Sequence, residues 1–161
     1  MLIGIAAVVG FTAHVSSAQQ IIPLEGETAA GDRFGSSVAT DGRHILVGSP
    51  YADDFESLSG GVSSFARDST GWQRGPRLAA AEVTAYDQFG WDVAVDTPYA
   101  VVGAYGDDDA GNNAGAAYVY EWQDTLWMER TKLTVPGAGE NDQFGYSVDI
   151  SDTLILVGAP G

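Results

Sequence analysis

The sequence predicts an all-β fold made of β-propeller blades, each blade a sheet of four antiparallel strands. The first observation is a repeat of 55 residues: Phe-Gly and Val-Gly pairs recur in that step, at Phe34, Phe89 and Phe144 and at Val47, Val102 and Val157. The second is that short apolar runs, separated by turn-forming residues, lie between these pairs. Four short strands per period, at a period of about 40 to 55 residues, are typical of propeller blades.

Composition narrows the class of protein. The chain has 161 residues, 45% of them apolar, which suits a folded domain. Its net charge is −15 with seven Lys and Arg residues, and this argues against nucleic-acid binding, which needs many cationic phosphate contacts. Because the chain has no Cys, disulfides and Cys-ligated zinc or iron are excluded.

The N-terminal segment is apolar and uncharged from Leu2 to Phe11, and small residues at Ser16–Ala18 precede Gln19. This pattern indicates a secretory signal peptide over residues 1–18 and a secreted or cell-surface protein. The run is shorter than the ~20 residues that span a bilayer, so no membrane span is expected. The alternative is an N-terminal strand or helix that stays in the fold.

The units follow in order along the chain. Residues 19–31 are predicted to hold the last strand of a preceding blade, over Ile21–Leu24, where Pro23 suits an edge position. Residues 32–86 form the first blade, with the Asp41-Gly42 dipeptide as a hairpin turn. Its predicted strands are Phe34–Thr40, His44–Val47, Gly60–Phe65 and Trp72–Leu78.

The second blade, residues 87–141, keeps this layout, with a hairpin turn at Asp96-Thr97-Pro98 and outer strands at Gly115–Tyr120 and Trp127–Leu133. Residues 142–161 supply the first half of a third blade. About two and a half blades are too few for a closed ring, which takes four to eight. We therefore expect an incomplete ring that is part of a longer protein or of a truncated reading frame. The alternatives are closure by several chains and an open stack.

The repeated aromatic and glycine residues have a structural explanation. The three phenylalanines are expected to pack between neighbouring sheets. The glycines that follow them, and those that end the second strands, are expected where a side chain would clash with the next sheet. These glycines are Gly35, Gly90 and Gly145, and Gly48, Gly103 and Gly158.

These anchors resemble the FG-GAP repeat, in which Phe-Gly is followed by Gly-Ala-Pro. The third copy is complete, with Phe144-Gly145 and Val157–Pro160, whereas Ser49 and Tyr105 depart from the ending in the other copies. The resemblance implies the β-propeller of integrin α subunits and secreted relatives. Calcium-binding members carry an Asp-rich loop between the two parts, and no copy here has one, so that calcium site is not expected.

An acidic loop follows instead, and it contains Asp107 and Asp109, which we predict as candidate calcium ligands because calcium prefers oxygen donors. The equivalent loop of the first blade carries Asp53-Asp54. The favoured alternative is a solvated loop whose Asp side chains cap its own turns. The repeated Asp32, Asp87 and Asp142 are likewise expected to hold turns before the first strands.

Catalysis is not expected. Without Cys, and with His14 in the predicted signal peptide, His44 is the imidazole left, and its place in a strand suggests a structural role. We therefore interpret the chain as a non-enzymatic adhesion or binding module without a certain cofactor.

The predicted ligand is a protein or glycan bound by the loops Ser49–Ser59 and Ala104–Ala114, with Tyr51, Phe55 and Tyr105 as apolar anchors. Two alternatives remain: an accessory propeller of a larger extracellular enzyme, and a purely structural repeat. The remaining blades would come from the same full-length chain or from other chains.

Overall fold

The computed structural model describes residues 5–10, 20–26 and 29–161, with side chains from residue 23 onward. These residues form strands and turns, and no helix among them is long and apolar enough to cross a bilayer. The predicted cleavage site at residues 16–19 lies outside the described residues. The strands are β1 (Ile5–Gly10), β2 (Gln20–Glu25), β3 (Val38–Thr40), β4 (His44–Gly48), β5 (Val62–Asp68), β6 (Gly71–Arg74), β7 (Val93–Asp96), β8 (Tyr99–Ala104), β9 (Ala116–Gln123), β10 (Leu126–Leu133), β11 (Ser147–Ser151) and β12 (Leu154–Gly158).

The strands assemble into antiparallel meanders, as the repeat predicted. The first blade is β3-β4-β5-β6 and the second blade is β7-β8-β9-β10, each with its strands in chain order. β11 and β12 form a two-stranded half-blade, and β1 and β2 form an N-terminal hairpin. The predicted all-β class and the four-stranded antiparallel blades are confirmed.

The N-terminal hairpin has the register of the outer half of a blade. Leu24 lies opposite Ala6 in the hairpin, as Leu133 lies opposite Ala117 in the second blade. Leu24 is buried in one core with residues of the first blade. β1 and β2 therefore occupy the positions of the third and fourth strands of a blade. Residues 5–10 form a strand, as in the alternative to the signal peptide that is given above.

Two predicted strand boundaries in the first blade are wrong. Residues 34–37 are not part of the first strand, because Gly35 adopts φ +90° and the Ser36 N–H closes a turn on the Arg33 carbonyl at 3.0 Å. The fourth strand ends at Arg74 rather than at residue 78. Pro76, which has no N–H to donate, follows two residues later.

The third strands also begin later than predicted, at Val62 and Ala116, and extend further. The glycines before them serve the joint between blades instead. Gly60 forms a parallel bridge with Phe89, and Gly115 forms the same bridge with Phe144. Each bridge joins the residues just before the third strand of one blade to the Phe-Gly turn of the next blade.

Blade contacts account for the repeated spacing of aromatic and glycine positions along the chain. Phe89 is fully buried in a core that includes Leu46 and Val62 of the first blade, with its ring 5.4 Å from that of Tyr118. A Cβ on Gly103 would lie 2.0 Å from the Gly145 carbonyl oxygen of the next repeat. The predicted close approach at this glycine is therefore confirmed.

Candidate functional site

Four aromatic side chains from three successive repeats meet at one end of the blades. The aromatic cluster consists of Tyr51, Trp91, Tyr105 and Tyr146. The Trp91 ring lies 4.5 Å from that of Tyr105 and 5.5 Å from that of Tyr146, while Tyr51 lies 6.5 Å from Trp91. Tyr146 is 41% exposed and the other three are partly exposed, so the cluster presents ring surface to solvent.

Strand direction explains why these residues meet. Tyr51 and Tyr105 follow β4 and β8, the second strands, whereas Trp91 and Tyr146 precede β7 and β11, the first strands. In an antiparallel pair the start of one strand and the end of its neighbour lie at the same edge. The tight blade contacts at the adjacent glycines then bring the three repeats together.

Polar groups border the aromatic cluster. The Arg33 guanidinium lies over the Tyr51 ring, 4.2 Å from its centroid. Burial raises the pKa of the Tyr105 hydroxyl, neighbouring tyrosines add to that effect, and a side-chain hydrogen bond with Gln88 opposes it. The Gln88 Oε1 atom is buried without a hydrogen-bond partner among the described residues. The cluster therefore combines exposed rings with the Arg33 cation.

Two of the three predicted apolar anchors lie together in the structure. Tyr51 and Tyr105 both contact Trp91 in the aromatic cluster, whereas Phe55, which is 40% exposed, borders a separate small pocket beside Arg77. Trp91 and Tyr146 were missed. Both directly follow a Phe-Gly pair, and an aromatic residue at the same repeat position was the signal that could have found them.

The acidic loop of the second blade forms a different site, around a lysine. Lys132 Nζ lies 2.7 Å from Asp107 Oδ2 and also contacts Asp109 Oδ2. Asp107 is 1% exposed and its Oδ2 accepts a hydrogen bond from the Tyr118 hydroxyl at 3.2 Å. The two carboxylates predicted as calcium ligands are therefore brought together, with an ammonium group between them.

The neighbouring acidic residues hold turns, as the sequence predicted. Asp53 accepts a hydrogen bond from the Leu58 N–H at 2.7 Å, and Asp108 accepts one from the Asn113 N–H at 2.6 Å. Each carboxylate that precedes a Phe-Gly pair accepts the N–H three residues upstream, at 2.6 to 2.7 Å. These residues are Asp32, Asp87 and Asp142.

Asp107 and Asp109 stay candidate calcium ligands, and a calcium titration tests whether they bind the ion. Among residues 29–161 no group of three or more Asp, Glu, His or Cys side chains converges on one point as metal ligands do. Because Lys132 already supplies a positive charge, we expect millimolar calcium to leave the melting temperature of the chain unchanged. A rise of several degrees that disappears in D109N would instead show that the cation enters the loop.

Asp87 is expected to make the stability of the fold depend on pH. Burial raises the pKa of this carboxyl to about 6, the Thr84 N–H opposes the rise, and the charge of Asp107 adds to it. A pKa raised on folding adds stability that is present at low pH and is lost as the pH rises through 6. We expect the urea midpoint to be higher at pH 5 than at pH 7, equivalent to about 1 kcal/mol from this group.

The variant D87N isolates this contribution. Asn cannot titrate, yet its Oδ1 can still accept the Thr84 N–H. The difference in stability between pH 5 and pH 7 should therefore shrink in D87N. An unchanged difference would assign the pH dependence to the other carboxylates of this acidic chain.

His44 connects two blades and is 6% exposed. Its Nδ1 lies 2.8 Å from Thr97 Oγ1 of the second blade and 3.3 Å from Asp41 Oδ2, and its ring lies 4.4 Å from that of Trp122. Although burial opposes it, hydrogen bonds from Thr97, His44 and Arg43 lower the pKa of Asp41 to about 2. The imidazole therefore joins the first blade to the second through its contacts with Asp41 and Thr97.

Comparison with known families identifies the repeat. The model of the FG-GAP repeat matches residues 16–65, 72–120 and 127–161, most of the chain. No curated protein matches the sequence. The matched segments contain the three Phe-Gly turns and the strands that follow them, whose blade contacts are described above. The chain therefore belongs to the FG-GAP repeat family.

Proposed function

We propose that the chain is a non-catalytic binding module of the propeller type, which engages a protein ligand through the aromatic cluster. The FG-GAP repeats favour a protein-binding module. The observation that carries the proposal is the meeting of Tyr51, Trp91, Tyr105 and Tyr146 from three repeats on one surface. Tyr and Trp are enriched among the residues that dominate binding energy in protein interfaces.

The chemistry of the cluster favours a polypeptide over a sugar. The rings are inclined to one another by 50° to 71°, so they form a corrugated surface rather than one flat platform. Inclined aromatic rings accommodate side chains and extended peptide segments, as in aromatic-lined peptide grooves.

A binding screen tests the proposal. The full chain is applied to an array of extracellular proteins and peptides and, in parallel, to a glycan array. We expect binding on the protein array, and we expect W91A to weaken it at least tenfold because Trp91 contacts every other member of the cluster.

The matched control is Y86A, which removes a tyrosine that is 58% exposed and has no ring contact with the cluster. Binding that is lost in W91A and retained in Y86A supports the proposal. Binding that survives both W91A and Y105A contradicts it. Binding confined to the glycan array would indicate a carbohydrate ligand instead of a protein, with the aromatic cluster still as the proposed binding surface.

We also propose that the protein acts outside the cell, in adhesion or as the accessory propeller of a larger extracellular enzyme. The apolar N-terminal segment and the family support this location. N-terminal sequencing of the chain recovered from the medium of an expressing cell tests it. A chain that stays inside the cell with Met1 in place would contradict the location without affecting the binding surface.

A further inference from the structure

A cavity of about 520 Å³ lies between the first and second blades, away from the aromatic cluster. Its walls are the start of β4, the end of β5 and β6 on one side, and the two hairpin turns of the second blade on the other. These turns and the aromatic cluster lie at opposite ends of the strands that join them. The volume falls within the range of small-molecule sites, about 300 to 1,000 Å³.

This cavity is lined by three of the seven Lys and Arg residues of the chain, namely Arg43, Arg67 and Arg74. Among the described residues, its lining includes only two of the 22 Asp and Glu residues, Asp68 and Asp124. Asp68 is engaged within the turn after β5, where its Oδ1 accepts hydrogen bonds from the Thr70 N–H and hydroxyl, both at 2.7 Å. The cavity therefore concentrates positive charge in a chain whose net charge is −15.

The blade fold does not require these arginines, because the second blade forms without them. One repeat period later, the positions of the three arginines are occupied by Pro98, Trp122 and Glu129. Strand register supports this alignment. Arg67 lies opposite Trp72 in the first blade, and Trp122 lies opposite Trp127 in the second. The positive charge therefore belongs to this one cavity and not to the repeat.

Two ring side chains form a wall of the cavity beside the arginines. The partly exposed Trp122 ring of the second blade lies 4.4 Å from the His44 ring of the first blade, and both residues line the cavity. His44 is itself held by Thr97, whose Oγ1 lies 2.8 Å from the His44 Nδ1. Because this wall is part of the joint between the blades, its shape is set before any ligand binds, which lowers the cost of binding.

We propose that this cavity binds a small organic anion in which a carboxylate or phosphate group is attached to an apolar ring. Guanidinium groups bind both kinds of oxyanion through paired, charge-assisted hydrogen bonds. The ring of the ligand packs against Trp122, since aromatic pairs at inclined or offset geometry attract one another. The remaining surface is acidic and repels anions, so the three arginines give the ligand one place to bind.

Calorimetric titration of the full chain tests the site with two probes, benzoate and phenyl phosphate, which share a ring and differ in the oxyanion. We expect at least one of them to bind, and the tighter probe identifies the oxyanion that the arginines prefer. Benzyl alcohol keeps the ring without the charge and should bind at least tenfold more weakly. R67Q and R43Q should each weaken binding of the tighter probe about tenfold, because each removes a charge-assisted hydrogen bond.

The matched control is R130Q, which removes the same charge from an exposed arginine outside the cavity. Arg43 and Arg67 are also exposed, so all three variants should fold, and their circular dichroism spectra check this. Weakening in R67Q and R43Q, with R130Q unchanged within about twofold, supports the site. The proposal is overturned if neither probe binds at millimolar concentration, if benzyl alcohol binds as tightly, or if R130Q weakens binding as much as R67Q. It is also overturned if R67Q and R43Q both bind the probe as the unchanged chain does.

Discussion

Replacing Gly60 with alanine should lower the free energy of unfolding by about 3 kcal/mol or more. This loss comes in addition to the cost of placing alanine in the positive-φ conformation of Gly60. A Cβ at this position would lie 2.1 Å from the Phe89 carbonyl oxygen and 2.5 Å from the Phe89 nitrogen. Both atoms belong to the backbone of the next blade, so no rotamer change can relieve the overlap. The bridge between Gly60 and Phe89 would have to open, and the fully buried Phe89 ring would move with it.

Gly42 provides the matched control, because its φ of +86° is almost the same as the +89° of Gly60, while a Cβ added at Gly42 would have no atom within 4 Å. G42A therefore measures the cost of placing alanine in this conformation, about 1 kcal/mol. The urea midpoint of each variant, compared with that of the unchanged chain, separates conformational cost from overlap. Similar midpoints for G60A and G42A would show that the blades separate easily at this joint.

The repeat made most of the fold predictable, because each blade carries the same anchors at the same step. The wrong start of the first strand lies where a contact between blades overrides the local sequence pattern. The run from Phe34 to Thr40 contains enough apolar and β-branched residues to suggest one strand, yet Gly35 turns the chain there and donates its N–H to the Gly48 carbonyl. That turn is dictated by the approach of neighbouring sheets, which no local window of sequence contains.

The candidate site was predictable in part for the same reason. Tyr51 and Tyr105 stand in loops that the repeat places at one end, so their shared surface could be inferred. Trp91 and Tyr146 share a repeat position with Ser36, and the polar residue in the first copy conceals the pattern. Lys132 was missed because its meeting with Asp109 depends on how β10 returns alongside β9, including the register shift between Glu129 and Thr131.

Replacing Lys132 with methionine should cost about 3 kcal/mol of unfolding free energy at pH 7. Burial lowers the pKa of this ammonium, but hydrogen bonds with Asp107 and Asp109 raise it above its ordinary value, so the group is charged in the folded chain. Methionine has a similar stem and no charge. K132M would leave the Asp107 carboxylate, 1% exposed, without its cation and close to the buried Asp87.

Two variants show whether the buried charge is the cause. Arg130 lies two residues away, and its Nε lies 2.6 Å from Glu121 in an exposed ion pair, so R130M should cost no more than about 1 kcal/mol. In the first blade Ala52 occupies the position of Asp107 and is equally buried. The double variant K132M/D107A should therefore recover much of the stability that K132M loses. If the double variant is less stable than K132M, the hydrogen bond that the buried Tyr118 hydroxyl donates to Asp107 outweighs the charge balance at this site.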